Sequence, residues 1–356
     1  MKTYQIVLLP GDGVGPEVTA VARAAMASVA AICGFRLTFS EHAIGGASID
    51  QYGAPLTPQA LAACQASDAI FLGAVGGPKW DQAVSRPEAG LLALRKALQV
   101  YANLRPVSVH PALAGKSPLR AELVAGVDML IVRELTGGIY FGARQKGQDY
   151  ASDECAYNRA EIERVAHIAF QQARLRRGKL TSIDKANVLE TSRLWRSVVS
   201  EMGAKTYPDI ALDHIYVDAA AMHLLRDPAS FDVIVTENMF GDILSDEASM
   251  LPGSIGLLGS ASLGDKRPGV FEPIHGSAPD IAGQDKANPF GAIESAAQLF
   301  ESGLGEIEAA RRLRAAINAM HEAGEWTADL GGSLNCSKAG TRLLQHLERM
   351  RVYLKR

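Results

Sequence analysis

Cysteine is scarce and scattered in this chain. Cys33, Cys64, Cys155 and Cys336 form neither a CxxC pair nor any close metal-ligand spacing, so a zinc-ribbon or dithiol redox site is excluded and a reducing compartment is expected. Neither charge sign dominates: 36 basic against 39 acidic residues leave a formal charge of −3, which argues against nucleic acid or an acidic membrane as the main partner. No apolar stretch reads as long enough to span a bilayer. The start runs from Met1-Lys2-Thr3-Tyr4-Gln5 straight into strand-like Ile6–Leu9 with no signal-peptide pattern, so the expectation is a cytoplasmic protein with no membrane partner. Internal repeats and low-complexity segments are also absent. A complete dinucleotide fingerprint is missing as well. In Gly11-Asp12-Gly13-Val14-Gly15 the third glycine comes one residue early and Pro16 follows, so the segment reads as a tight turn before a helix.

What is present is an ordinary globular composition, 47% hydrophobic and 21% charged, in 356 residues, enough for more than one domain. Strand and helix patterns alternate from the start. Strands are expected at 4–9, 35–42, 69–73, 129–132, 179–183, 215–218 and 233–235. Helices are expected at 16–31, 57–66, 88–98 and 158–173, after Asp184-Lys185-Ala186-Asn187-Val188, and in the tail at 293–299 and 309–323. Glu134-Leu-Thr-Gly-Gly-Ile-Tyr-Phe-Gly142 is glycine-rich and β-prone, and predicts an arm or hairpin running to about Asp153. The segment 271–289 is too specific in composition to be a linker.

The chemistry-bearing residues cluster around Glu237-Asn-Met-Phe-Gly-Asp-Ile-Leu-Ser-Asp-Glu247. A buried strand feeds a turn at Gly241. A helix starting there puts Asp242 and Asp246 on one face, four residues apart. Two stacked carboxylates either decorate a solvated helix start or need a cation, and a hard divalent ion is what such oxygens take. Arg95, Arg105 and Arg133 lie at strand-flanking places. Guanidinium forks bind carboxylates bidentately, so three converging would suit a di- or tricarboxylate, while each alone is an ordinary structural residue. Lys185 sits at a strand's carboxyl end, where α/β proteins place chemistry, with a structural pair to Asp184 as the plainer reading. Tyr140 is either a packed aromatic or a proton donor, and Asp218 ends a strand.

Several segments together resemble the isocitrate/isopropylmalate β-decarboxylating dehydrogenases, most closely the isopropylmalate branch. They are Gly11-Asp-Gly-Val-Gly-Pro-Glu17, Glu134–Gly142, Asp184-Lys-Ala-Asn-Val188, Asn238–Asp246 and His275-Gly-Ser-Ala-Pro-Asp-Ile-Ala-Gly283, in order along essentially the whole chain. The resemblance implies a non-Rossmann α/β fold of two domains. A discontinuous cofactor-side domain is expected over 1–100 and 254–356, and a second domain with a dimerisation arm over 101–253. It implies NAD-dependent oxidative decarboxylation of 3-isopropylmalate by a homodimer whose active sites are shared across subunits. Carried over residue by residue, Arg95, Arg105 and Arg133 would clamp the carboxylates. Asp218, Asp242 and Asp246 would bind Mg2+ or Mn2+, with Asp218 also touching substrate. Lys185 would take the hydroxyl proton and Tyr140 would protonate the enol. Leu91, Leu92 and Val188 would wall the isopropyl group. Gly76, Gly77, Glu88, His275, Gly276, Ser277, Ala278, Pro279, Asp280, Ala287 and Asn288 would bind NAD, Asp280 meeting the ribose hydroxyls and repelling a 2′-phosphate. One departure, Gly332-Ser-Leu-Asn-Cys-Ser337, lies outside these residues and touches terminal packing only.

Three other readings compete. A sister dehydrogenase acting on homoisocitrate, isocitrate, tartrate or another alkylmalate shares the motifs. A non-catalytic subunit would have lost arginines, the lysine or aspartates that this chain keeps. A metal-dependent phosphohydrolase on Asp242 and Asp246 leaves Lys185 and the 271–289 segment unexplained.

Overall fold

The computed structural model describes residues 1–82 and 84–353. In chain order its strands are β1 (Thr3–Gly11), β2 (Arg36–Glu41), β3 (Ala69–Ala74), β4 (Ala102–Ser108), β5 (Asp128–Glu134), β6 (Arg144–Lys146) and β7 (Ala151–Asp153). There follow β8 (Lys179–Asp184), β9 (Ala211–Tyr216), β10 (Val233–Thr236), β11 (Gly259–Leu263) and β12 (Val270–Pro273). The chain divides into two compact units, Met1–Gln99 with Ser254–Arg356, and Val100–Gly253.

In the first unit the strands run β2-β1-β3-β12-β11, parallel except for β11 against β12. In the second they run β4-β5-β10-β8-β9, parallel except for β4 against β5. Neither is the all-parallel Rossmann order. The inner strands β3 and β10 are buried at every position, as parallel strands covered on both faces must be, which is why they read as continuous apolar runs. Helices cover them for legible reasons. Thr57 caps Pro58–Ala66 by accepting from the Ala60 amide at 3.1 Å. Asn158 and Glu161 form a reciprocal capping box on Arg159–Leu175, which buries Ile162, Val165, Ala166, Ala169 and Phe170.

Several expectations need correction. Gly241 is not in a turn: the helix starts three residues earlier and runs Asn238–Ser249. The glycine serves packing, since a Cβ there would lie 2.6 Å from Arg133 Cγ. Asp218 does not end a strand, because β9 stops at Tyr216 and Asp218 lies in the first turn of helix Val217–Arg226. Tyr140 closes a single 3-10 turn, Gly138–Tyr140, and the hairpin is the exposed pair β6–β7 that follows. Finally, helix Gly15–Cys33 is long and apolar enough, by length and composition alone, to cross a membrane. Alanine gives it that character. Its buried face, with Val18, Ala22, Met26 and Val29, packs against the first unit's strands and the helices Phe290–Gln298, Ile307–Glu322 and Cys336–Tyr353.

Candidate active site

In the second unit, chemistry gathers where parallel strands end. Arg133 is the penultimate residue of β5, Lys185 follows β8, Asp218 follows β9, and Glu237-Asn238 follow β10. Arg105 enters from antiparallel β4, whose Asn103 lies opposite Arg133. The helix Asn238–Ser249 then lays Asp242 and Asp246 over both arginines. Arg133 Nη1 donates to Asp242 Oδ1, Arg105 Nη2 lies 3.6 Å from the same oxygen, and Arg105 Nη1 reaches Asp246 Oδ1 at 3.1 Å. Both carboxylates thus lie against two nearly buried guanidinium groups while keeping solvent-exposed oxygens. Tyr140 joins them: its hydroxyl donates to Asp242 Oδ2 at 3.1 Å and its ring lies 5.7 Å from the Arg133 guanidinium carbon. Burial and then the Asp242 charge push the phenol pKa up, so Tyr140 keeps its proton at neutral pH. Burial likewise raises the Asp246 carboxyl, with Arg105 opposing it.

Lys185 and Asp218 form a separate pair, Nζ to Oδ1 at 2.5 Å, and this pairing holds the Asp218 carboxyl below its usual range. The plainer reading of Lys185 is wrong, because Asp184 is occupied by Arg196 at 2.8 and 2.9 Å. Among the described residues, Asp218 is not grouped with Asp242 and Asp246 as a set of three potential ligands. Val188 stands 60% exposed on this unit.

The first unit holds the other expected residues. Arg95 is buried and paired with Glu272 of β12 at 2.8 Å, and its Nε has no acceptor. Leu91 and Leu92 are half-buried on helix Pro87–Leu98. The Gly11–Gly15 turn is a junction: Asp12 Oδ2 accepts from Gly46 N at 2.9 Å and Gly76 N at 2.8 Å, and Oδ1 accepts from Ala47 N at 2.7 Å. Val14 N donates to Ser277 O at 2.8 Å, and a Cβ on Gly13 would lie 1.9 Å from that oxygen. Gly76, at φ +114°, passes so close to Glu88 that a Cβ would lie 2.7 Å from Oε1. Gly77 packs on Trp80. The 275–288 loop thus abuts the ends of β1 and β3. Gly276 faces open space, Asp280 and Pro279 are exposed, and Ala278 takes φ +40°. His275 Nε2 is buried without a partner, and burial lowers the ring's pKa. Ala287 is buried, and Asn288 is tied to Asp329 at 2.9 Å and Phe290 N at 3.0 Å.

The segment Gly332–Ser337 does more than terminal packing. Ser337 N and Oγ donate to Asp285 at 2.8 and 2.6 Å, while Glu17 accepts from Gly283 N, so the loop is anchored from both sides. Glu17, Asp285 and Cys336 lie within 4.8 Å of one another, but both carboxylates serve these bonds and burial pushes the thiol up to about 12. Sequence reading also passed over Asn238, Glu134 and Glu237. Their signal was present: polar residues directly at the exits of buried strands.

A family model for isocitrate/isopropylmalate dehydrogenase matches residues 5–343. The chain belongs to the isocitrate/isopropylmalate dehydrogenase family. It is similar to a 3-isopropylmalate dehydrogenase from Anaeromyxobacter dehalogenans (strain 2CP-C), 54% identical over 96% of this chain and 99% of the relative. A 3-isopropylmalate dehydrogenase from Staphylococcus aureus (strain NCTC 8325 / PS 47) is 51% identical over 97% of this chain and 99% of the relative. Among solved structures, isocitrate dehydrogenase from Methylococcus capsulatus superposes with a TM-score of 0.88 at 33% identity, covering 97% of this chain and 99% of that one. The fold of this family member is accordingly the isocitrate/isopropylmalate dehydrogenase type.

The residues present fit the groups this family implies. Asp242 and Asp246 offer hard carboxylate oxygens, with side chains 35% and 58% exposed, the donor type for Mg2+ or Mn2+. The unpartnered His275 Nε2, the open face at Gly276 and the exposed Asp280 carboxylate suit a dinucleotide.

Proposed function

We propose that this chain catalyses the NAD- and divalent-metal-dependent oxidative decarboxylation of 3-isopropylmalate to 4-methyl-2-oxopentanoate, carbon dioxide and NADH. Its place is leucine biosynthesis in the cytoplasm, as a homodimer. The observation that carries the reading is the second unit's cluster, in which Arg105, Arg133 and Tyr140 all face Asp242. Two guanidinium forks suit a malate's carboxylates. Tyr140 stays protonated and can deliver its proton to C3 of the enol left by carbon dioxide loss. Lys185 is the residue that takes the proton of the C2 hydroxyl. Asp242 and Asp246 would hold the divalent ion, which would supply Lewis acidity, and a bound nicotinamide would supply the hydride acceptor.

Lys185 and Asp218 pair with each other instead of joining Asp242, which supports their serving a second copy's site. So do Met222 and Leu225 on helix Val217–Arg226, and Ile243 on the helix packed against it, all exposed apolar side chains. Asp280 supports NAD over NADP. Half-buried Leu91 and Leu92 support an alkyl over a third carboxylate. Assaying NADH and carbon dioxide release from 3-isopropylmalate and isocitrate tests the reading. Equal amounts of both products from 3-isopropylmalate are expected, and a higher kcat/KM for isocitrate would overturn the substrate assignment.

A further inference from the structure

We propose that Asn238 is a positioning residue that fixes two parts of the site at once: the orientation of the Arg133 guanidinium and the turn that carries Tyr140. The inference rests on Arg133 receiving a carboxylate of the malate. Asn238 is 1% exposed and opens the helix that bears Asp242 and Asp246. Its Oδ1 accepts from both Nε and Nη2 of Arg133, at 3.0 and 2.8 Å. That grip on one edge of the planar guanidinium leaves Nη1 directed at Asp242. The other end of the same amide, Nδ2, donates to Gly137 O at 3.0 Å, next to the Gly138–Tyr140 turn.

The arrangement closes into a ring of bonds. The Asn238 amide N donates to Tyr157 Oη at 2.9 Å, and Tyr157 Oη lies 3.4 Å from Glu134 Oε2 as donor. Glu134, fully buried, accepts from Thr136 N at 2.9 Å and Gly137 N at 2.7 Å, returning to the segment Asn238 holds. The Tyr157 ring fills the space beneath the two glycines, where a Cβ on Gly137 would lie 2.8 Å from it. Only a side chain with an acceptor at one tip and a donor at the other bridges a guanidinium and a carbonyl. A carboxylate satisfies Arg133 but cannot donate to Gly137 O, and an alkyl group does neither.

The test measures Kd for 3-isopropylmalate by calorimetry, with kcat and both KM values, for wild type, Asn238→Ala and Asn238→Asp. Asn238→Ala is expected to weaken binding of the malate about 10- to 100-fold while KM for NAD stays within about twofold. Asn238→Asp, which keeps the acceptor, is expected to hold Kd within about threefold of wild type while kcat falls on the order of tenfold. An Asn238→Ala enzyme with Kd and kcat like wild type would overturn the proposal. So would equal loss of affinity in both variants, or a parallel rise in both KM values. If Asn238→Ala does not fold, Tyr157→Phe decides, since it removes the hydroxyl that makes two bonds of the ring. A few-fold rise in the malate Kd alone supports the role, and no change overturns it. Wild type that turns over isocitrate instead would sink the substrate assignment, and the same comparison is then read with isocitrate.

Discussion

Glu237 is a buried carboxyl at the foot of the site helix. It accepts from Ser192 Oγ at 3.1 Å and from the Cys155 thiol at 3.8 Å, and burial, reinforced by Asp184 and Glu134, raises its pKa from 4.5 to about 7. A raised folded-state value means the folded protein holds this proton more tightly than the unfolded chain. Its stabilising contribution is complete below pH 4.5 and is lost as pH rises through about 7. Glu237→Gln should therefore gain stability relative to wild type between about pH 5 and 8, by on the order of 1–3 kcal/mol in urea unfolding. A pH-independent difference would mean that the ionised carboxylate carries no penalty there. Asp280 is a second single-residue case. Its exposed carboxylate on the 275–288 loop predicts that Asp280→Lys shifts the NAD-to-NADP ratio of kcat/KM by on the order of tenfold or more toward NADP. Unchanged cofactor preference would show that the ribose is read elsewhere.

Elements were legible where burial imposes a pattern. The apolar runs of β3 and β10 and the 3.6-residue rhythm of Arg159–Leu175 lead directly to buried strands and a capped helix. Beginnings and ends were less so. The run Ile215-Tyr216-Val217-Asp218 predicts a strand with Asp218 at its tip, yet β9 ends two residues before Asp218 and a helix follows without a side-chain cap. Glycine after a buried strand predicts a turn at Gly241. It lies inside a helix because Arg133 runs across that face, a long-range contact that local sequence does not carry. The same contact makes a prediction for the element. Gly241→Ala improves helix propensity but drives a methyl into Cβ, Cγ and Cδ of Arg133, at 2.8, 2.6 and 3.2 Å. KM for 3-isopropylmalate should rise on the order of tenfold with unfolding midpoint little changed. An unaltered KM would show that Arg133 can move aside without consequence.

At the scale of the whole molecule, the resemblance implies both the candidate residues and their grouping, whereas spacing along the chain shows little of that grouping. Asp242 and Asp246 share a helix face, which spacing shows. Arg105 and Tyr140 join them only because β4 pairs with β5 and a glycine turn folds back. Lys185 and Asp218 follow adjacent parallel strands and pair with each other, apart from the Asp242 cluster. On the proposed function, the two clusters complete one another between two copies in a C2 dimer. Lys185→Ala and Asp242→Ala homodimers should each be inactive. Unfolded together and refolded as a mixture, they should recover about a quarter of wild-type NADH formation, because about half the dimers are mixed and each holds one intact site of two. Activity that stays at the level of the separate variants would contradict a site built from two subunits.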